Sequence, residues 1–196
     1  MPRRDLERTG DGHLKVVGNV ADEIVFLSVL RRWLSTMAEH EPCVGASDEW
    51  YTPPEIFQAL GVVFDLDPCS PGPGHWVPAQ TIYTRVDDGL ARAWFGRVFV
   101  NPPFGGRHGH LPWIERFLDH RNGIAIVRAY TSAGWFHDLA LRAETMLFPR
   151  GKTKFIRPDG TVGSQPGHGV VLLGMGGHCN RALQASRLGF VVRLSV

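Results

Sequence analysis

Short runs of consecutive apolar residues punctuate this chain, and they constrain its fold more than any other feature. Residues 62–66, 97–100, 123–127, 145–148 and 170–173 each hold a nearly continuous apolar stretch too short for a helix. Such runs read as strands covered on both faces. Helical patterns fall between them. One starts at Pro53-Pro54-Glu55, with Thr52 able to cap it, and runs to about Leu60. Others cover residues 112–120 and 135–143, and one lies around 180–186. Further strands are expected near 154–156 and 190–194. Strands alternating with helices imply an α/β fold, a parallel or mixed sheet with helices on both faces.

With 196 residues and 43% hydrophobic content, the chain can bury the core of one such domain plus a short appendage. Residues 1 to about 19 read as a flexible polar start. Residues 21–41 read as an amphipathic helix that gathers Ile24, Leu27, Val29, Leu30, Trp33, Leu34 and Met37 broadly on one face and stops at Pro42. A small, polar linker follows, so an N-terminal segment 1–47 and a main domain 48–196 are expected. The first dozen residues hold no signal-like apolar run, and nothing approaches a membrane span. Cys43, Cys69 and Cys179 are far apart and form no CxxC pair, so neither a disulfide framework nor a zinc ribbon is indicated. These features together predict a soluble protein of the reducing cytoplasm with no metal site.

The formal net charge of +2 argues against a histone-like binder of polyanions, but it leaves room for a local basic face. Arg150, Lys152, Lys154 and Arg157 supply one in a hairpin-like stretch that ends at Pro158-Asp159-Gly160. A solvated sheet edge and a contact with nucleic acid explain that run about equally well. Arg107-His108-Gly109-His110 reads as a basic loop able to touch phosphate, because two histidines without a carboxylate or thiol make a poor metal site.

The segment Asn101-Pro102-Pro103-Phe104 follows directly on an apolar strand, where open α/β sheets bind ligands. The Asn101 side chain offers a carbonyl oxygen as acceptor. Pro102 and Pro103 fix the backbone and hold the Pro102 carbonyl outward. Phe104 offers a flat face for a base. Two fixed acceptors beside an aromatic plate suit a planar substrate that carries an amino group. A strand that ends in Asp65-Leu66-Asp67-Pro68 can hold a cationic or hydroxyl-rich cofactor. Asp87-Asp88-Gly89-Leu90 adds another carboxylate near a turn, and Trp50-Tyr51-Thr52-Pro53 puts two aromatics before a helix start.

Together these segments resemble the phage and prophage family of DNA N6-adenine methyltransferases, from Asp48 to about Gly174. Residues 48–55 look like that family's opening motif, and Asp65-Leu66-Asp67-Pro68-Cys69-Ser70 resembles its cofactor strand. Asp88-Gly89-Leu90 with Trp94 resembles the stretch that leads to the catalytic strand, and Asn101-Pro102-Pro103-Phe104 matches the (D/N/S)PP(Y/F) motif of amino-methyltransferases. No Gly-x-Gly follows Asp67-Pro68; Pro71-Gly72-Pro73-Gly74 turns the chain there instead. Lys152 stands where the family would lead one to expect arginine.

The resemblance implies an S-adenosylmethionine-dependent methyltransferase fold of Rossmann-like type, with DNA as partner and a homodimer compatible with it. Asn101, Pro102, Pro103 and Phe104 would be catalytic. Trp50, Tyr51, Thr52, Pro53, Asp65, Asp67, Pro68, Asp88 and Leu90 would bind cofactor. Arg107, Lys152, Lys154 and Arg157 would contact nucleic acid. Rival readings are transfer to RNA adenine, cytosine N4 or a protein glutamine, and a non-catalytic DNA-binding protein with a relict cofactor pocket.

Overall fold

The structure, a computed structural model, describes residues 6–8, 14–16, 50–103, 109–140, 142–163 and 169–194. The chain divides into two compact units, 1–44 and 45–196. In the first, strand β1 (Leu6–Arg8) pairs antiparallel with β2 (Leu14–Val16), Leu6 opposite Val16 and Arg8 opposite Leu14. This ribbon falls within the stretch read from the sequence as a flexible polar start. Its strands, Leu6-Glu7-Arg8 and Leu14-Lys15-Val16, hold three residues each, too few to register as a strand pattern in one dimension. The helix expected at 21–41 lies outside the described residues.

The second unit is built on a seven-stranded mixed sheet. Its elements in chain order are α1 (Pro54–Leu60), β3 (Phe64–Asp67), β4 (Ala79–Ile82), β5 (Val98–Val100), α2 (Leu111–His120), β6 (Gly123–Arg128), α3 (Gly134–Ala140), β7 (Thr145–Pro149), β8 (Val170–Met175), α4 (Gly177–Ala185) and β9 (Gly189–Arg193). Across the sheet the order is β4-β3-β5-β6-β8-β7-β9. β4, β3, β5 and β6 run parallel to one another. β8 is antiparallel to both β6 and β7, and β9 is antiparallel to β7.

The apolar runs fill both faces, as their continuity requires. Val98 and Val100 of β5, Ala125 and Val127 of β6, and Val171 and Leu173 of β8 pack with Ile114 and Phe117 of α2 and Phe136 and Leu139 of α3. The alternate residues Phe99, Ile124, Ile126, Val170 and Leu172 pack with Ile56, Phe57 and Leu60 of α1 and Leu183 of α4. Each large aliphatic side chain buried this way contributes about 1.5–3 kcal/mol.

β3 breaks the alternation, because Phe64 and Leu66 join opposite core layers. The reason is a bulge. The backbone N–H groups of Asp65 and Leu66 both donate to the Arg97 carbonyl, at 2.8 and 3.2 Å. Two residues of β3 thus face the single residue that precedes β5, and the side-chain phase shifts by one.

Several boundaries differ from the sequence expectation. Thr52 does not cap α1: the cap position belongs to Pro53, which has no side-chain oxygen, and the Thr52 hydroxyl lies elsewhere. β4 was hidden from pattern reading because AQTI is half-exposed at the sheet edge and holds no apolar run. Within 154–156 only Ile156 pairs, as an isolated bridge to Tyr51 and Val162. Among the described residues no helix is long and apolar enough to cross a membrane.

Candidate active site

β3 and β5 are parallel neighbours, so their carboxyl ends, Asp67 and Val100, open side by side. Parallel α/β sheets place ligands there. A cleft of about 620 Å³ lies at that position, and its wall includes Trp50, Tyr51, Thr52, Asp67, Pro68, Asp88, Asn101, Pro102 and Pro103. Segments 50 residues apart in sequence therefore share one cavity.

Asn101 links two of these segments directly. Its side-chain N–H donates to the Trp50 carbonyl at 2.6 Å. That bond fixes which end of the amide faces where, and it leaves Oδ1 as the free acceptor. Asn101 Oδ1 is buried and has no hydrogen-bond partner among the described residues. A buried acceptor left empty costs about 1–3 kcal/mol, which marks this atom as a candidate contact for a donor. Beside it Pro102 is buried and Pro103 exposed, and neither can offer a backbone N–H.

Asp67 is 3% exposed. Its Oδ1 accepts the Cys69 backbone N–H at 3.1 Å, and no cation pairs with it among the described residues. Burial pushes its carboxyl up to about 7, against the smaller opposing pull of hydrogen bonds from Cys69 and Ser70. A carboxylate so placed in a cleft is poised for a cationic ligand. Burial, and then the charge of Asp67, push the neighbouring Cys69 thiol up, which keeps it protonated and a poor nucleophile.

Two aromatic contacts and one glycine hold the rest of the wall. The Trp94 indole N–H donates to the Gly89 carbonyl at 2.7 Å, which explains why the Asp88-Gly89-Leu90 turn and Trp94 occur together. A Cβ on Gly89 would stand 1.8 Å from the Pro68 carbonyl oxygen, so only glycine lets this turn lie against the end of β3. The Arg157 guanidinium lies 5.7 Å from the centre of the Trp50 ring.

Other expected site residues sit elsewhere. Asp65 does not line the cleft. The bulge turns it toward Arg97, whose backbone N–H it accepts at 2.6 Å. Leu90 also stands off the wall, with its carbonyl accepting from the Arg116 guanidinium. Pro53 lines a second hollow of about 300 Å³ with Arg150, Lys152 and Lys154. Phe104 and Arg107 lie outside the described residues. Arg157 caps a true hairpin turn: its N–H donates to the Thr161 carbonyl at 2.8 Å, and Ile156 bridges to Val162. Arg150, Lys152, Lys154 and Arg157 are all exposed and make no ion pair among the described residues.

Sequence reasoning missed His75, Thr84 and Arg85, which also line the cleft. His75 lies in the Pro/Gly-rich loop after β3, where no periodicity marks a functional position.

A family model described as DNA N-6-adenine-methyltransferase (Dam) matches residues 41–173, more than half the chain. Searches of curated proteins and of solved structures find no match.

Proposed function

The chain belongs to the DNA N-6-adenine-methyltransferase (Dam) family, and on that premise we propose that it methylates the N6 amino group of adenine in DNA at this cleft, with S-adenosylmethionine as donor. One observation carries the reading to particular atoms: the buried Asn101 Oδ1 just past β5, which has no partner among the described residues.

The cleft suits the cofactor. Its volume falls in the range of roughly 300–1,000 Å³ typical of small-molecule sites. Asp67 supplies a buried carboxylate with no paired cation among the described residues, which complements an ammonium group. Trp50 and Tyr51 supply apolar faces, and Asp88 supplies an acceptor for ribose hydroxyls. When bound, S-adenosylmethionine supplies an electrophilic sulfonium methyl.

The protein's own part is to orient the amine. An adenine taken out of the helix donates its two amino hydrogens to Asn101 Oδ1 and the Pro102 carbonyl. Those bonds draw the nitrogen lone pair out of conjugation with the ring and disperse the positive charge that grows on nitrogen. The Trp50 carbonyl holds the Asn101 amide so that the acceptor does not rotate away. Phe104 supplies the stacking face. No general base need act before attack, because the amine is uncharged at neutral pH. The exposed cations Lys152, Lys154 and Arg157, together with Arg107, meet the phosphate backbone.

Incubation with adenine-containing DNA and methyl-labelled S-adenosylmethionine, followed by nucleoside mass spectrometry, tests this. The label should appear in N6-methyladenine and vanish with Asn101→Ala. Label in cytosine, in RNA alone or in protein would sink the assignment.

A further inference from the structure

His75 is built as a hydrogen-bond donor with no acceptor among the described residues. Its ring stacks on Trp76, with centroids 4.6 Å apart and planes at 24°, and meets the Tyr51 ring edge-on at 4.8 Å. The Val77 backbone N–H donates to His75 Nδ1 at 3.4 Å, which leaves the ring proton on Nε2. His75 lines the cleft, and its Nε2 is buried with no partner among the described residues. Burial lowers the imidazole below its ordinary titration range, so at neutral pH it is an uncharged N–H donor.

A second orphan stands on the same wall. The Thr52 hydroxyl is buried, its residue 1% exposed, and it too is unpartnered among the described residues. The Trp76 indole N–H ties the two together by donating to the Thr52 carbonyl at 2.7 Å. Among the described residues the cleft therefore presents two opposite chemistries: a pair of unused donors from Thr52 and His75, and the buried carboxylate of Asp67 with no cation beside it. An α-amino acid group, with its carboxylate and ammonium on the same carbon, has the complementary pair.

We infer that His75 Nε2–H and the Thr52 hydroxyl together hold the carboxylate at the amino-acid end of the cofactor, with Asp67 taking its ammonium. This rests on the cofactor reading above. Arg85 is the competing group. It also lines the cleft, but it is exposed on the turn after β4 and has no buried donor atom left open.

Calorimetry with S-adenosylhomocysteine and with its decarboxylated analogue tests the inference. His75→Phe keeps the stacked ring and removes the donor. It should weaken S-adenosylhomocysteine roughly tenfold or more, the loss of one hydrogen bond to a charged group, while the decarboxylated analogue changes less than about twofold. His75→Gln, which restores an N–H near the Nε2 position, should recover most of the loss. Equal losses for both ligands, no loss for either, or a carboxylate-selective loss in Arg85→Ala alone would overturn it. If the unaltered protein binds neither ligand, the cofactor reading itself fails, and that failure is distinct because it precedes any substitution.

Discussion

Replacing Asp67 with asparagine should stabilise the protein while weakening its cofactor site. The carboxyl titrates near 7 in the folded chain against 3.8 for an ordinary aspartate, and burial is the main cause. Between those values the folded state holds a proton that the unfolded state has lost, so stability falls as pH rises through that window. Below about 3.8 both states are protonated and nothing is lost. Above about 7 both are ionised, and the full cost of roughly 4 kcal/mol applies (about 1.36 kcal/mol for each of the three-odd pH steps between the two values).

Asparagine has the same shape and no charge, and it can still accept the Cys69 N–H. At pH 8 Asp67→Asn should therefore melt higher, by about 8–16 °C for a chain of this size if the full cost is recovered. At pH 4 the two proteins should melt together. Titration calorimetry should show the opposite trend for S-adenosylmethionine, with affinity reduced in Asp67→Asn. For the unaltered protein, affinity should rise from pH 5 to 7 as the carboxylate ionises, with proton release near pH 6. If Asp67→Asn were no more stable at pH 8, or its advantage did not change with pH, burial of an unpaired charge would be the wrong account of Asp67.

Further outcomes follow from the same geometry. Asn101→Ala should lower kcat by roughly a hundredfold or more, as loss of a preorganised transition-state contact does, while calorimetric cofactor affinity stays within a few-fold; near-normal turnover would remove Asn101 from the site. Gly89→Ala forces a Cβ into the Pro68 carbonyl and should cost about 1–3 kcal/mol in denaturant unfolding, with weaker cofactor binding because Asp67 is displaced with Pro68; an unchanged midpoint would show that the turn has room to give. The Lys152→Ala, Lys154→Ala double variant should reduce the log–log salt slope of DNA binding by about two and leave the methylated sequence unchanged. An unaltered slope would make the basic stretch a solvated edge.

The order of strands and helices was legible because the local pattern had one solution. Continuous apolar runs such as 123–127 and 170–173 can be buried only with helices on both faces, and β6 and β8 sit at the middle of the sheet for that reason. The Asn-Pro-Pro turn was legible too, since its donors and acceptors are set by covalent structure. What the sequence could not order was phase and proximity. Asp65 and Asp67 look equivalent at the end of one strand; a bulge opposite the Arg97 carbonyl sends the first to Arg97 and leaves the second buried in the cleft. His75 reads as one more polar residue in a loop until Trp76 and Tyr51 fix its ring. Residue types and their spacing thus determined the fold class and the family. Backbone hydrogen bonds between distant segments, above all Asn101 to Trp50 and Trp76 to Thr52, decided which polar atoms remain free, because an atom's availability depends on every neighbour that could have satisfied it.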